Sequence, residues 1–556
     1  MNRLVNRRIR LLLAVLTLAF GGLLIRATWL QGVRAESLSR LGRTQHREAV
    51  TVPAGRGTIY DRGGVQLALG ERATTVYANP MHVTNPRRAA TAVERTLGLD
   101  ADRVYPTLAD RTRGFVYVAR QADPAQAAAL QRLKLPGFGF YAEERRNYPQ
   151  RTVAAQVLGY VGIDGNGLAG LELEFDRELA GRPGKETVVK DPSGRVIEVE
   201  RERGEVPGRD LFLTLDHSIQ ANAEAVLRDT VRKWSAKSAS AIVLDPRTGS
   251  ILAMAVQPGY DANRLPSAAR DLQRNRTVTD TYEPGSTFKL ITVAGALSER
   301  IVAPATRFTL PYELQVADRV IHDAEERGTV NYSVRQILAH SSNIGAITLA
   351  QMLGRTRMAS WITRFGFGRT TGVDFPGESP GIVLPPAKWS GSTIGNVPIG
   401  QGIAVTPVQM AAAYAAVANR GIWSRPHLVD HLEGGGRPSL YRRRLVSAPI
   451  ATELMTMMKD VVAEGTGQFA AIPGYQVAGK TGTAQKPDSH GGYATGRYVA
   501  SFVGIVPASR PRLVVLVTVD EPRGAIWGGV VAAPAFQQIA RFDLQYLEVP
   551  PDAPQG

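Results

Sequence analysis

The sequence predicts an α+β protein that begins with an apolar transmembrane helix and continues through an irregular β-rich domain. A larger domain follows, with a central antiparallel sheet flanked by helices. This domain is predicted from apolar runs typical of strands, which form one hairpin at 239–256 and another at 498–519 and bracket a largely helical region at about 286–465. Strands at both ends with helices between them indicate one antiparallel sheet assembled from distant parts of the chain.

The first element is an apolar run of 15 residues at 11–25. Arg26 can extend its side chain toward the membrane surface and Trp29 favours the interface, so the predicted anchor spans 11–30. Arginines are frequent in residues 1–10, and the positive-inside rule makes this segment a cytoplasmic tail, with the rest of the chain outside the cytoplasm. The alternative is a signal peptide cleaved after Val33-Arg34-Ala35, but that site lies well beyond the apolar core.

The region between the anchor and the larger domain is predicted in two parts. Residues 31–50 are polar and form a stalk, whereas residues 51–209 form the irregular β-rich domain, with short β-like runs among many Gly, Pro and Arg residues. One helix is predicted there, at 124–134, where alanines and leucines have helical spacing. The charged, turn-rich segment Glu200–Arg209 marks the end of this domain.

The larger domain is predicted to span 210–545. It opens with a strand at Leu211–Leu215 and a helix at 217–234, and it closes with a helix at 533–544. The remaining residues, 546–556, are predicted to form a flexible tail.

Composition narrows the classes of function. The 556-residue chain has 44% hydrophobic and 21% charged residues, which is ordinary for globular domains with sizeable cores. It contains no cysteine, which excludes disulfides, thiolate catalysis and cysteine-bound metals. The formal net charge of +16 reflects either an arginine-rich composition or attraction to an anionic membrane or polymer. No zinc-finger, RNA-binding or basic-zipper pattern supports a nucleic acid partner.

A serine and a lysine three residues apart stand at the start of an apolar helix. The segment Glu283–Lys289 (EPGSTFK) has a Pro-Gly stop before the run LITVAGAL, which places Ser286 in the first turn. Residues i and i+3 share a helix face, so Lys289 points the same way as Ser286. A serine hydroxyl needs an adjacent base, and a lysine can be that base if burial or positive charge lowers its pKa. Alone, the motif is more typical of a helix cap beside a surface lysine.

Two further motifs follow in the chain. In Ser341-Ser342-Asn343 the Ser341 hydroxyl can relay a proton and the Asn343 amide can donate to a substrate carbonyl. In Lys480-Thr481-Gly482-Thr483 the side chains can bind a carboxylate, and the glycine allows close approach to the backbone. Each motif alone fits an ordinary turn or strand end. Together with Ser286 and Lys289 they form, in order, the set S-x-x-K, S-x-N and K-T-G.

This set is shared by penicillin-binding proteins and serine β-lactamases. The chain resembles the class B, high-molecular-mass penicillin-binding proteins, and is similar above all to the septal cell-division transpeptidases of the FtsI type. The resemblance extends from about residue 10 to 545 and includes three motifs that are structural in the family's pedestal domain. The additional matching segments are Arg56–Gly64, Arg145–Pro149, Gly170–Glu172, Arg274–Arg276, Tyr282–Ser286, Gly400–Gly402 and Val405–Pro407.

The resemblance implies a peptidoglycan D,D-transpeptidase of the cell membrane that acts at the division septum. Ser286 would attack the D-Ala–D-Ala bond of a stem peptide with Lys289 as base, and the backbone N–H groups of Ser286 and Thr483 would form the oxyanion hole. D-Alanine would leave with a proton supplied through Ser341 and Lys480. An amine of a neighbouring stem peptide would then take the acyl group, and β-lactams would trap Ser286 as a slowly hydrolysed ester.

The resemblance also implies a set of binding residues and partners. Lys480, Thr481, Gly482 and Thr483 would hold the terminal carboxylate of the stem peptide, and Asn343 would belong to the catalytic set. A multi-span glycan polymerase of the FtsW type and other division proteins are the implied partners. No cofactor or metal is implied.

Several alternatives stay open. An elongation-type transpeptidase of the same class would carry the same motifs, and so would a non-catalytic wall scaffold or a sensor that is merely acylated. A serine β-lactamase uses related motifs, but the anchor, the pedestal and the length argue against it. A metal enzyme is disfavoured because His427 and His431 lie in a Pro- and Gly-containing stretch without H-E-x-x-H, which predicts a surface loop pair.

Overall fold

The structure is a computed structural model that describes residues 2–33, 47–190, 196–267, 269–437, 439–488 and 491–553. Its internal contacts divide the chain into two compact units. The smaller unit combines residues 1–55 with 181–208, and the larger unit combines 56–180 with 209–556.

The smaller unit contains the N-terminal helix and a small sheet. The helix Asn2–Thr28 continues as a π-helical turn over Trp29–Val33 and is long and apolar enough to cross a membrane. The sheet has three antiparallel strands in the order Arg47–Val52, Gly184–Lys190 and Val196–Arg203. Most of the predicted stalk, residues 34–46, lies outside the described residues.

The N-terminal part of the larger unit is a sheet covered on one face by helices. Its long strand, Gln66–Ala78, pairs with Ile59–Tyr60, Val116–Ala122 and Phe138–Asn147. The sheet continues from Ile59–Tyr60 through Leu211–Leu213 to Val429–Leu432, so one sheet joins strands from both predicted domains. The short elements of this part are Ala155–Leu158, Tyr160–Val161, Gly167–Ala169, Gly170–Glu174 and Asp176–Leu179.

Three helices cover this sheet, whereas the sequence predicted one. The predicted helix is confirmed as Pro124–Arg132, and Pro86–Leu97 and Ala101–Ala109 lie beside it. The helix Pro86–Leu97 had usable signals, because the Asn85 side chain caps it and Gly98 ends it in the left-handed conformation. Its exposed arginines gave the segment the appearance of an irregular basic stretch.

The rest of the larger unit is built on a five-stranded antiparallel sheet. Its strands are β1 (Ser238–Leu244), β2 (Ile251–Gln257), β3 (Ala478–Pro487), β4 (Tyr493–Val506) and β5 (Leu513–Asp520). Their spatial order is β2-β1-β5-β4-β3, so both predicted hairpins are confirmed and β1 pairs with β5 from the other end of the domain. The strand β3 is an edge of this sheet.

Helices cover both faces of the central sheet. On one face, Ala241 and Val243 share a core with the helices His217–Lys233 and Ala533–Tyr546. On the other face, Ile242 and Leu244 belong to a core that includes Pro407–Ala418, a helix buried along its whole length. Further helices are α1 (Lys289–Ser298), Arg276–Thr279, Val334–Ala339, Thr393–Asn396, Ala448–Ala463 and Gly528–Val531, together with α2 (Asn343–Phe365), which is interrupted at Gly354.

Small hairpins and a packed C-terminal segment complete the larger unit. The hairpins pair Arg307–Leu310 with Val330–Ser333, Glu313–Val316 with Arg319–His322, and Ile422–Ser424 with Arg442–Arg444. The sequence assigned 546–556 to a flexible tail, but Val549 is buried and Asp552 accepts a hydrogen bond from the Gln476 N–H at 2.7 Å. Residues 554–556 lie outside the described residues.

Candidate active site

Ser286 lies on a tight turn before α1. A 3₁₀ turn spans Gly285–Phe288, and the Lys289 N–H donates to the Ser286 carbonyl. Gly285 has φ +53, and a Cβ there would lie 2.7 Å from the Thr483 carbonyl oxygen. Only glycine therefore lets this turn approach β3 so closely. The turn leaves Ser286 half-buried while Lys289 is enclosed.

Lys289 is completely buried, and its ammonium nitrogen faces uncharged groups. Nζ donates to Asn343 Oδ1 at 2.7 Å, to Ser341 Oγ at 3.2 Å and to the Ser341 carbonyl. Burial lowers the pKa of Lys289 to about 7, although the nearby Asp323 charge opposes the shift. An amine with this pKa is substantially neutral at physiological pH and can accept a proton.

Lys480, which lies on β3, also bonds to Ser341. Its Nζ donates to Ser341 Oγ at 2.9 Å, and its side chain is completely buried. Burial, and then the neighbouring Lys289, lower the pKa of Lys480 well below its usual value. Ser341 therefore lies between two buried amines, in a left-handed conformation with φ +59. That conformation is costly for a non-glycine residue and is common at functional sites.

The K-T-G strand lies directly against the serine turn. A Cβ on Gly482 would lie 2.9 Å from the Pro284 carbonyl oxygen, and a Cβ on Gly285 would lie 3.3 Å from the Thr483 nitrogen. Because β3 is an edge strand, alternate N–H groups along it point away from β4. The backbone segments that carry the Ser286 and Thr483 N–H groups thus lie side by side.

The threonine hydroxyls of β3 form hydrogen bonds to two neighbouring segments. Thr481 Oγ1 hydrogen-bonds Thr466 Oγ1 at 2.7 Å, and Thr483 Oγ1 accepts the Gly528 N–H at 3.0 Å. The structure thus brings together all the predicted residues of the three motifs, Ser286, Lys289, Ser341, Asn343, Lys480, Thr481, Gly482 and Thr483.

Two protein-family models match the chain. Residues 239–541 match the penicillin binding protein transpeptidase domain, and residues 51–213 match the penicillin-binding protein dimerisation domain. The chain is 33% identical over 561 residues to the peptidoglycan D,D-transpeptidase FtsI of Escherichia coli, covering 99% of this chain and 93% of that protein. It is also 34% identical over 559 residues to the probable peptidoglycan D,D-transpeptidase PenA of Neisseria meningitidis, covering 99% and 94%.

A solved structure agrees with these relatives. Penicillin binding protein 3 from Mycobacterium tuberculosis, complexed with aztreonam, has a TM-score of 0.72 and 31% identity, with 91% of this chain and 99% of that chain covered. The chain belongs to the class B penicillin-binding proteins, of the FtsI type.

Sequence reasoning missed one residue of this penicillin-binding protein's site. Asp323 accepts the N–H groups of Asn343 and Ile344, and the Ser342 hydroxyl donates to it at 3.1 Å, so it caps α2. It also pairs with Arg327. Asp323 thereby fixes the S-x-N turn, yet in the sequence it is one acid in a charged stretch 20 residues from Asn343.

Both polar atoms of the Asn343 side chain form hydrogen bonds within the protein, whereas the sequence predicted that its amide donates to a substrate carbonyl. Its Oδ1 accepts from Lys289, and its Nδ2 donates to the His322 carbonyl at 2.9 Å. In this arrangement the amide orients the lysine.

A second carboxylate, Glu283, ties the serine turn to its surroundings. Its Oε1 accepts the Gly402 N–H at 2.8 Å, and its Oε2 accepts the Tyr493 hydroxyl at 3.0 Å. Burial raises the pKa of Glu283. Through Gly402 it connects Ser286 to the Gly400–Gly402 segment.

The histidines that were predicted as a surface loop pair have different surroundings. His431 lies in the strand Val429–Leu432 and stacks on Phe212 with centroids 4.4 Å apart. His427 is half-buried, and its Nε2 lies 3.2 Å from Ser250 Oγ.

Among the described residues, Asp61, Asp216 and His217 offer possible ligand atoms for a metal within 4.8 Å of one another. The carboxylates of this group already have structural roles, because Asp216 caps the helix that starts at His217 and Asp61 accepts a hydrogen bond from His217.

Proposed function

We propose that this class B penicillin-binding protein is a peptidoglycan D,D-transpeptidase that works through an acyl-enzyme at Ser286. The observation that carries the proposal is the meeting of two buried lysines at Ser341 beside the Ser286 turn. Among the described residues no carboxylate is bonded directly to either amine, so burial lowers the pKa of each instead of leaving it a fixed cation. Full-length relatives named as transpeptidases support the same reaction.

Acylation begins when Lys289 takes the Ser286 proton. The freed Ser286 Oγ attacks the carbonyl carbon of the penultimate D-alanine of a stem peptide and forms a tetrahedral intermediate. The negative charge on its oxygen is stabilised by the backbone N–H groups of Ser286 and Thr483. The proximity of the Gly285 turn to the Thr483 backbone supports this pairing of donors.

Collapse of the intermediate breaks the bond to the terminal D-alanine. The proton that Lys289 took from Ser286 passes to the leaving amine through the Ser341 hydroxyl, which Lys480 also bonds and orients, while Ser286 keeps the acyl group as an ester. Lys480, Thr481, Gly482 and Thr483 form the surface that receives the terminal carboxylate. Their threonine hydroxyls are already oriented by Thr466 and Gly528.

The ester is then resolved by an amine. The side-chain amine of a neighbouring stem peptide attacks it, and the same lysine and serine groups return the proton to Ser286 Oγ. A β-lactam presents a strained amide to the same serine, and its leaving group stays attached after ring opening. The ester therefore persists and inhibits the enzyme.

We infer a septal role from the FtsI and PenA relatives, with a glycan polymerase of the FtsW type and other division proteins as partners. The helix Asn2–Thr28 would anchor the protein in the cell membrane, with its N-terminus in the cytoplasm and the catalytic centre outside. The functional division that we propose is pedestal over 51–209 and catalytic domain over 210–545. Cells depleted of a septal enzyme should form filaments, whereas loss of an elongation enzyme should produce rounded cells.

The decisive experiment is fluorescent penicillin labelling of the purified chain with mass spectrometry of the adduct. Wild type should carry a label at Ser286 that persists for many minutes. Ser286→Ala should reduce labelling by at least about a thousandfold, because no other group supplies the nucleophile. Ser509→Ala, which changes an exposed serine outside the site, is the matched control. Rapid loss of label would favour a β-lactamase, and no label on wild type would favour a non-catalytic scaffold.

A further inference from the structure

Six arginines surround a small hairpin of the larger unit without forming ion pairs. The hairpin pairs Ile422–Ser424 with Arg442–Arg444. Among the described residues, no carboxylate lies within ion-pair distance of any of the six. Where contacts form, they are to uncharged groups: Arg443 donates to the Arg364 carbonyl and lies 4.9 Å from the centre of the Trp423 ring. We call these six residues the arginine cluster: Arg364, Arg369, Arg425, Arg442, Arg443 and Arg444.

The positive charges of the arginine cluster are close enough to act on one another. Burial lowers the pKa of Arg443, and the charges of Arg364 and Arg369 lower it further. Arg56, by contrast, is buried with carboxylates bonded to it. Like charges held together without counter-charges produce a positive potential, which draws an anionic ligand to this part of the surface.

A groove of about 340 Å³ adjoins the arginine cluster at Arg425. The Arg425 N–H donates to the Tyr441 carbonyl, so this residue lies beside the strand Arg442–Arg444. Its side chain is half-buried and lies against Gly372, where a Cβ would be 3.4 Å from Arg425 Cδ. Within the described parts of the chain, no acceptor bonds to its guanidinium. That guanidinium is therefore available to a ligand in the groove.

A second guanidinium lines the same groove. Arg209 donates to the Glu433 carbonyl through Nε at 2.8 Å and through one terminal nitrogen at 2.6 Å, which leaves its other terminal nitrogen for a ligand. Asp374 also lines the groove, but its two carboxylate oxygens accept the Leu428 and Val429 N–H groups at 2.6 and 2.9 Å. The charge that the groove offers to a ligand is therefore positive, and guanidinium groups bind phosphate oxygens through paired hydrogen bonds.

Much of the remaining groove wall is apolar. Phe175, Leu432, Leu440 and Tyr441 contribute to it, and the last two are 43% and 58% exposed. An inorganic anion would leave this apolar surface in water, whereas a ligand with an apolar chain would bury it. The volume of the groove falls in the range of about 300–1,000 Å³ that holds small ligands, and a protein partner would need a much larger surface.

We propose that this groove binds an anionic phospholipid, with its phosphate at Arg425 and Arg209 and the start of an acyl chain against Leu440 and Tyr441. The lipid source rests on the proposed membrane anchoring, which keeps lipid at a high effective concentration. The site is separate from the catalytic centre, because Arg364 lies near the end of α2 and Asn343 at its start. Lipid bound here would give the larger unit its own contact with a membrane.

The test titrates the detergent-solubilised full chain with dihexanoylphosphatidylglycerol and measures Kd. Dihexanoylphosphatidylcholine, inorganic phosphate and pyrophosphate are the comparison ligands. Wild type should bind the phosphatidylglycerol at least about tenfold more tightly than each of these, because it alone combines a net negative charge with apolar chains. Arg425→Gln should weaken that binding at least about tenfold, since a charge-assisted bond to the phosphate is lost. The control Arg541→Gln removes the same charge from an exposed position elsewhere and should bind like wild type.

A second variant tests the apolar part of the groove. Leu440→Ser/Tyr441→Ser should weaken binding of the phosphatidylglycerol about tenfold and leave the weaker affinity for pyrophosphate unchanged. Both changed side chains are exposed, so the fold should persist, and penicillin labelling of every variant at the wild-type level checks this.

Three results would overturn the proposal. Equal affinity of wild type for phosphatidylcholine would mean that the phosphate charge is not recognised. Equal affinity for inorganic phosphate or pyrophosphate would mean that the site takes a free anion. Arg425→Gln that binds the phosphatidylglycerol as tightly as wild type would place the lipid elsewhere. Absence of penicillin labelling in wild type would reject the proposed function alone, because lipid binding does not involve Ser286.

Discussion

The larger unit buries basic side chains in two places, and their partners differ. In the pedestal part, Arg56 and Arg146 each bond Glu172 at 2.7 Å, and Arg56 also bonds Asp176 at 2.7 Å. At the catalytic centre, Lys289 and Lys480 bond two hydroxyls, one amide oxygen and backbone carbonyls.

The partners decide which side chains stay charged. Burial opposes the charge of Arg56, but Glu172 and Asp176 outweigh it and raise the pKa above its usual value. Without directly bonded carboxylates, burial lowers the pKa of both lysines. Buried basic side chains therefore stay charged where carboxylates bond to them, as in the pedestal part. They become titratable where their partners are uncharged, as at the catalytic centre.

The largest predicted effect is the loss of acylation rate in Lys289→Arg. A guanidinium cannot lose its proton, so the catalytic centre would acquire the permanent charge of the pedestal network. The acylation rate should fall at least about a thousandfold. The control is Lys388→Arg at an exposed position, and stopped-flow labelling with a chromogenic β-lactam is the measurement. A rate within tenfold of wild type would show that Lys289 is not the base.

Removing the pedestal carboxylate should destabilise the fold without changing the chemistry. Glu172→Gln leaves Arg56 and Arg146 buried with an incomplete set of counter-charges, at a cost of about 3–5 kcal/mol of unfolding free energy. Thermal unfolding should report the loss, while the acylation rate of the folded fraction stays unchanged. Glu174→Gln, on an exposed neighbour, should leave stability as it is. If Glu172→Gln is as stable as wild type, the buried arginines do not depend on this carboxylate as a counter-charge.

A buried acid to which no cation is directly bonded, among the described residues, should behave like the buried lysines. Burial raises the pKa of Glu224 to about 7, despite hydrogen bonds from Gln220 and the Ala154 N–H and the nearby charge of Arg228. Its folded-state pKa is above the unfolded value, so its stabilisation is present below about pH 4.5 and is lost as pH rises through 7. Glu224→Gln should remove that loss, which is at most about 3 kcal/mol. Unfolding of wild type, Glu224→Gln and the exposed control Glu94→Gln at several pH values tests this; parallel curves for all three would contradict it.

The smallest effect concerns the pH profile of acylation. In wild type the rate should rise about tenfold per pH unit below 7 and level off above it, because only neutral Lys289 accepts the proton. Asp323→Asn removes a charge that raises this pKa, so the midpoint should move to lower pH. Asp318→Asn, at an exposed site, should leave the midpoint in place. A shift to higher pH would show that Asp323 acts in another way.

Much of the site could be predicted from the sequence because its chemistry is concentrated in short motifs. The positions of Ser286 and Lys289 on one turn follow from a Pro-Gly stop and an apolar helix. Apolar runs on either side of turn signals likewise predicted β1, β2 and β5 to within one residue, whereas β4 begins at Tyr493, five residues before its predicted start at Tyr498.

What the sequence could not predict depends on contacts between distant segments. Asp323 acts on Asn343 across a hairpin, and Glu283 reaches Tyr493 across 210 residues. The strand Leu211–Leu213 pairs with strands on both sides that are remote in sequence, and local propensity carries no information on such pairing.

The order of strands in the central sheet has a consequence for synthesis. Strand β1 can pair with β5 only after residue 520 has been made, and Lys480 and Thr483 belong to the same late segment. A growing chain therefore carries Ser286 and Lys289 for roughly two hundred residues before the groups that complete the centre exist. We expect partial chains that end before β3 to be inactive as transpeptidases, because they lack Lys480 and Thr483. The long-range pairing that makes folding slow also keeps an unfinished enzyme from acting.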